Sequence, residues 1–343
     1  MNGNPASIHH SSRVVLEGVP RAGYDVHMCP FPGSLVACLE YLGDPCDYDY
    51  LMGVTGAAFR RFWNRDDGGN VDLSYLGDEP FRRVFGALGY EWRAVPAEKE
   101  AMFQAVVESV DRGVPAISFG IIGPPEAGIV AGYDEDGQVL YGWSYFQEQR
   151  EHYYEKSDWF ETMDKNAGKG LIVIGHKRPT RPTDRVVFIA SLEWAVDLER
   201  TARRPGRPEH VAGLAAYDAW AAALEVDADY PPDDPGVLDV RCMVYSDQVV
   251  MLKERQSAAR YLRQMVRTAP EVAGHLNAAA AFYDQAGGLA STLWPWGGTT
   301  HHAAQQGLTD EEMRRELARH VRAARAKEAQ AVEHLEHALA ELR

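Results

Sequence analysis

Apolar residues early in the chain recur at helical spacing. Leu35, Cys38, Leu39 and Leu42 fall on one face of PGSLVACLEYLG, which predicts a helix over 32–43 with Pro32 in its first turn and Gly43 as its stop. Helices are also predicted over about 78–88, between Asp78 as N-cap and Gly89, and over 97–112. The period then changes. PAISFGI (115–121), AGIVAGY (127–133), QVLYGW (138–143) and GLIVIGH (170–176) are short, apolar and rich in β-branched and aromatic residues, and they read as strands. Asp136-Gly137 supplies a hairpin turn between 127–133 and 138–143. RVVLEGV adds one short strand to a loose arm over 1–23.

Past residue 185 or so the strand pattern stops. Helices are predicted over 186–202, 209–225, 246–268, 271–285 and 309–342, some of them separated by RRPGRP (203–208) and DYPPDDPG (229–236). Thr309 and Glu312 form a capping box for the last helix, whose Met313, Leu317, Val321 and Ala324 make one docking stripe. TTHHAAQQ (299–306) reads as a polar loop. His301 and His302 have no acidic or sulfur neighbour there, so no metal is expected. Helices followed by an antiparallel sheet give an α+β class rather than βαβ alternation. The expected domains are an α+β domain over 1–182 and an all-helical domain over 183–343 packed on it.

Composition narrows the partners. With 50 acidic against 35 basic residues the net charge is −15, which disfavours nucleic acid and anionic lipid. No apolar run reaches the ~18 residues of a membrane span, and the first residues lack a signal-peptide core. The four cysteines form no C-x-x-C pair, so a reduced, cytoplasmic protein without a cofactor is expected.

One cysteine stands where chemistry is favoured. Cys29 precedes the helix over 32–43, and a helix start offers positive potential and free N–H groups to a thiolate or an oxyanion. A buried cysteine acting as a small hydrophobe is the structural alternative. His27, two residues earlier, lies on the same side as Cys29 if this stretch is a strand. Trp63 and Asn64 follow a glycine-containing apolar stretch, and Trp143, Tyr145 and Gln147 end a predicted strand; with Tyr133 they are candidates to line a pocket for a small amine or peptide-like ligand. Arg60, Arg61 and Arg65 form a local basic patch, either a solvated face or a grip for a carboxylate or phosphate such as a carrier-protein arm.

The segments MCPFPGSLVACLEYLG, LMGVTGAAFRRFW (51–63) and IIGPPEAGIVAGYDEDGQVLYGWSYFQ (121–147) resemble papain-like cysteine peptidases of the bacteriocin-processing type. More closely they are similar to the N-terminal domain family of butirosin-biosynthesis protein H, which is linked to acyl transfer onto an amine. SLEWAVDLER (191–200) and GLAAYDAWAAAL (213–224) resemble the helical region that accompanies such domains. The resemblance implies a papain-like fold and a thiol nucleophile at Cys29. The chain departs from it in three places. Glu126 stands where these families place a histidine, Trp143–Ser144 stands where they place the acid, and an ungapped match puts Pro30 at the cysteine.

Three expectations follow. In the first, Cys29 is the nucleophile of an acyl or amide transfer, or of a hydrolysis, with His27 or Glu126 moving the proton and a free or carrier-bound small molecule as substrate. In the second, the fold survives without its triad and only binds a small molecule. In the third, Glu126 is a general base and Cys29 is structural.

Overall fold

The computed structural model describes residues 13–67, 73–134, 138–165, 170–204, 206–296 and 301–343. In chain order the first elements are β1 (Val14–Val15), α1 (Pro30–Tyr41), α2 (Tyr48–Thr55), β2 (Phe62–Trp63), α3 (Glu79–Leu88), β3 (Tyr90–Val95) and α4 (Lys99–Asp111). β4 (Ala116–Phe119), β5 (Ala127–Asp134), β6 (Val139–Trp143), β7 (Tyr154–Lys156), α5 (Trp159–Lys165) and β8 (Leu171–Lys177) follow. The remainder is α6 (Asp184–Arg200), β9 (Val211–Ala212), α7 (Gly213–Leu224), α8 (Pro235–Lys253), α9 (Arg255–Met265), α10 (Ala273–Gly288), α11 (His301–Thr309) and α12 (Glu311–Leu342). The class is α+β.

The chain forms two compact units that are not contiguous in sequence. The first holds residues 1–46 and 90–177, the second 47–89 and 178–343. Residues 47–89, inside the expected 1–182 domain, thus cluster with the helical remainder.

The first unit is built on a seven-stranded antiparallel sheet in the order β3-β8-β4-β5-β6-β7, with β1 added to β5. The strands predicted at 115–121, 127–133, 138–143 and 170–176 are present with shifted ends; the Asp136-Gly137 turn lies outside the described residues. β5 is buried along nearly its whole length, which is why it reads as a continuous apolar run. α1 and α4 pack on it.

Among the described residues the second unit is helical around the β2–β9 pair. α2 enters with Asp47 Oδ1 accepting Tyr50 N–H at 2.9 Å, and Gly53 lets the Tyr261 ring of α9 approach, where a Cβ would lie 2.3 Å from it. Its core joins Trp220, Tyr245, Leu317 and Val321. Charge is buried here as well. The Arg255 guanidinium donates to Glu328 at 2.9 and 2.6 Å and to the carbonyls of Ala58, Phe59 and Arg60. Arg60 pairs with Glu254 at 2.7 Å, and Arg61 lies 3.9 Å over the Tyr217 ring while donating to Gln248 Oε1 at 2.9 Å. Neither Arg60 nor Arg61 forms a basic patch: both are core residues, and only Arg65 is exposed, paired with Asp66 and Asp229.

Three local readings need correction. Asp310, not Thr309, caps α12 by accepting Met313 N–H at 3.0 Å. Residues 301–306 are helical, not a loop. The predicted helix over 246–268 starts earlier, at Pro235 under the Asp234 cap, and is divided at Glu254 and Arg255, two buried charges held by partners distant in sequence.

Candidate active site

Cys29 enters α1 in an extended conformation, φ −94° and ψ 117°, as the helix N-cap. Pro30 and Pro32 occupy the first and third helical positions, where a ring-fixed φ suits the helix. Their rings also remove N–H groups. Of the first three helical residues only Phe31 carries one, so the backbone offers fewer oxyanion donors than a helix start ordinarily does. The first helical bond, Gly33 N–H to Cys29 O at 3.1 Å, fixes the cysteine backbone. Residues 23–27 are a turn rather than a strand, with Val26 and His27 N–H groups both donating to Gly23 O at 2.9 Å and Arg21 paired to Asp25. The turn nevertheless carries His27 to the helix start, because a Cβ at Gly33 would lie 2.9 Å from His27 Cβ.

The same glycine admits a second group. A Cβ there would lie 2.1 Å from the Tyr145 hydroxyl, so only a residue without a side chain lets that hydroxyl rest over the first turn of α1. Tyr145 is 7% exposed, and its hydroxyl is buried with no hydrogen-bond partner among the described residues. Ser34 Oγ, one residue along α1, is in the same condition. Tyr24 packs edge-on against Tyr145 at 4.9 Å and Phe146 at 5.7 Å, and donates its hydroxyl to Glu126 Oε2 at 2.6 Å. Glu126 is placed by the turn into β5, where its N–H donates to Pro124 O and its carbonyl accepts Gly120 N–H.

Electrostatics ties these groups together. Burial, then the Cys29 thiol and the Glu126 carboxylate, push the Tyr145 phenol well above its ordinary value of 10.0. Tyr24 is raised by burial and then by Glu126, with Tyr145 and Cys29 adding to it. Both phenols therefore remain protonated donors across the physiological range. Cys29, Tyr24, Tyr145 and Glu126 share one neighbourhood, and His27 borders it. No protein-family model matches the chain, and no curated protein matches it significantly.

The other candidates lie elsewhere. Trp143 donates Nε1–H to Val19 O at 2.8 Å and meets Tyr153 edge-on at 4.9 Å. It lines a cavity of 420 Å³ with Arg13, Glu17, Tyr141 and His152, and neither Cys29 nor Glu126 is among the lining residues. Tyr133 donates to Asp111 on α4 at 2.7 Å. Gln147 is a loop staple, accepting Ser144 N–H at 2.8 Å and donating to His152 O at 3.0 Å. Trp63 and Asn64 belong to the second unit, where Trp63 packs on the aromatic core and Asn64 donates to Glu209 O at 3.1 Å. Sequence reasoning passed over Tyr24 and Ser34. Tyr24 lies in the GYDVHMC segment beside the cysteine, but its partner Glu126 is 102 positions away.

None of the four cysteines is in a disulfide, and Cys29, like Cys38 and Cys242, is buried. Burial raises the Cys38 thiol strongly and pushes Cys242 up to about 11, while Cys46 is half-buried.

Proposed function

We propose that the first unit carries out a thiol-dependent acyl or amide transfer, or a hydrolysis, on a small amine or peptide-like metabolite, with Cys29 as nucleophile. The observation that carries this reading is the buried Tyr145 hydroxyl, without an internal partner, over the helix turn that Cys29 opens. In the forward step Cys29 Sγ forms a bond to the substrate carbonyl carbon, and the thiol proton passes to His27 or Glu126. The carbonyl oxygen takes the electron pair and is held by the Tyr145 O–H, which substitutes for backbone donors lost to Pro30 and Pro32. Collapse breaks the bond to the leaving thiol or amine, which receives the proton, and leaves a thioester on Cys29. Attack by an acceptor amine, or by water, returns the thiol. A carrier-bound thioester suits the first step because one thioester replaces another.

Exposure to short-chain activated thioesters followed by intact-mass spectrometry tests this. One acyl adduct is expected, mapping to Cys29 and absent in Cys29→Ala, with half-buried Cys46 as the internal control. Adducts on Cys46 alone would remove the proposal.

A second reading is favoured by the Tyr24–Glu126 hydrogen bond. A carboxylate that already accepts a phenol proton is a poorer base, and Glu126 holds the position where the resembling families carry their histidine. On this reading the unit binds a small molecule without turning it over. Should Glu126 be the working base, Glu126→Gln slows turnover about 10²–10⁴-fold while Cys29→Ala is nearly silent.

A further inference from the structure

Away from Cys29, the second unit gathers three imidazoles that the sequence keeps apart. His275 lies in the first turn of α10, and His334 and His337 lie three residues apart on α12, so the latter two face the same side of their helix. One ring nitrogen from each of the three lies within 4.8 Å of the others. His275 Nδ1 and His334 Nδ1 are 3.1 Å apart. That separation is the edge expected between two ligands each about 2.0–2.1 Å from one ion.

The surroundings match a ligand set rather than a chance cluster. Glu341, one turn beyond His337, holds the opposite nitrogen of His275, with Oε1 3.2 Å from Nε2. A carboxylate on the far nitrogen fixes the tautomer that leaves Nδ1 with its lone pair free for a metal. Phe282 stacks on the His334 ring at 5.8 Å and sets its plane. The three histidines are half-buried to exposed, which leaves a path for an ion.

We propose that His275, His334 and His337 bind a borderline divalent transition metal of the Zn²⁺ class, with Glu341 orienting His275. Three nitrogen ligands suit this class and leave a coordination position for water. The ion would clip the end of α12 to the start of α10.

Titration of the metal-stripped full chain with Co²⁺, read by its visible absorption, and with Zn²⁺, read by calorimetry, tests the site. One equivalent is expected to bind, and Zn²⁺ at ~100-fold excess over Kd should raise Tm by roughly 4–6 °C. His275→Ala and His334→Ala should each weaken binding by at least about tenfold, and Glu341→Gln by about tenfold, with circular dichroism showing the helices intact. His301→Ala with His302→Ala should leave binding unchanged. A wild-type chain that takes up neither ion would reduce the cluster to a histidine–histidine hydrogen bond and overturn the proposal. So would binding that survives both His275→Ala and His334→Ala, or that disappears with His301 and His302. Should either alanine variant lose its helices, glutamine at the same position provides the comparison.

Discussion

Buried polar groups are handled differently in the two units. In the second, Arg60, Arg61 and Arg255 are fully buried, and Glu199, Glu254 and Glu328 lie among them. Glu328 has the best share. Burial would raise its carboxyl, but Arg255 at 2.6 and 2.9 Å holds it below the ordinary range. Glu199 has the worst. Both its oxygens are buried without a donor, and its Arg255 contact is 3.7 Å long. Burial, then the Glu328 charge, push it well above 4.5, so it keeps a proton that lies toward Glu328. In the first unit the unpartnered groups are two hydroxyls, Tyr145 and Ser34, with no protonation change available to relieve them. A polar atom stranded inside an ion network adjusts its charge. A stranded hydroxyl keeps its O–H as a donor.

Breaking the network should cost the most. Glu328→Gln strands Arg255 and is expected to destabilise the second unit by about 3–5 kcal/mol in urea unfolding. A loss below about 1 kcal/mol would mean that the three carbonyls on Arg255 suffice without the carboxylate. Gly33→Ala comes next. Its methyl meets the Tyr145 hydroxyl and His27, so a loss of about 1–3 kcal/mol is expected from overpacking. The acylation rate should fall about 10²–10³-fold with it if the hydroxyl serves the oxyanion.

The network also sets a pH dependence of smaller size. Glu199 has a folded pKa above its unfolded value, so its contribution to stability is greatest below about 4.5 and is lost as pH rises through the raised value. Glu328 runs the opposite way, stabilising above about 4.5 and failing as pH falls through its lowered value. Glu199→Gln should therefore flatten the fall in urea midpoint on the alkaline side of 4.5 and leave the acid limb in place. An unchanged alkaline slope would place the retained proton elsewhere. The smallest stability change is expected at Tyr145→Phe, within about 0.5 kcal/mol of wild type, since the hydroxyl it removes has no internal partner. Thioester labelling of Cys29 should nevertheless slow by about 10²-fold. A large stability loss with normal labelling would make Tyr145 a packing residue.

Local signals carried the elements, and long-range ones did not. Buried β5 and the α1 stripe could be read because apolar periodicity is written in adjacent residues. β3 was missed because YEWRAV is an edge strand buried only at its two ends, so it lacks a clean alternation. Arg60 and Arg61 read as a surface patch because their partners, Glu254 and Gln248, are almost 200 positions away. The candidate site was legible at Cys29, Tyr145 and Glu126. Its Tyr24–Glu126 hydrogen bond was not, and neither was the pairing of His275 with His334, 59 positions apart.

The split path of the chain through its two units has a consequence for synthesis. α2 and α3 leave the ribosome early, yet α6 and α9, against which α2 packs, are encoded far downstream. At about 5–20 residues per second, the interval between α2 and α9 is on the order of 10–40 s. Through that interval Leu51, Met52, Val54 and Phe59, all fully buried in the finished molecule, await their helical partners. A nascent chain stalled near residue 182 should therefore recruit holdase chaperones through 47–89, and release them once α9 has emerged.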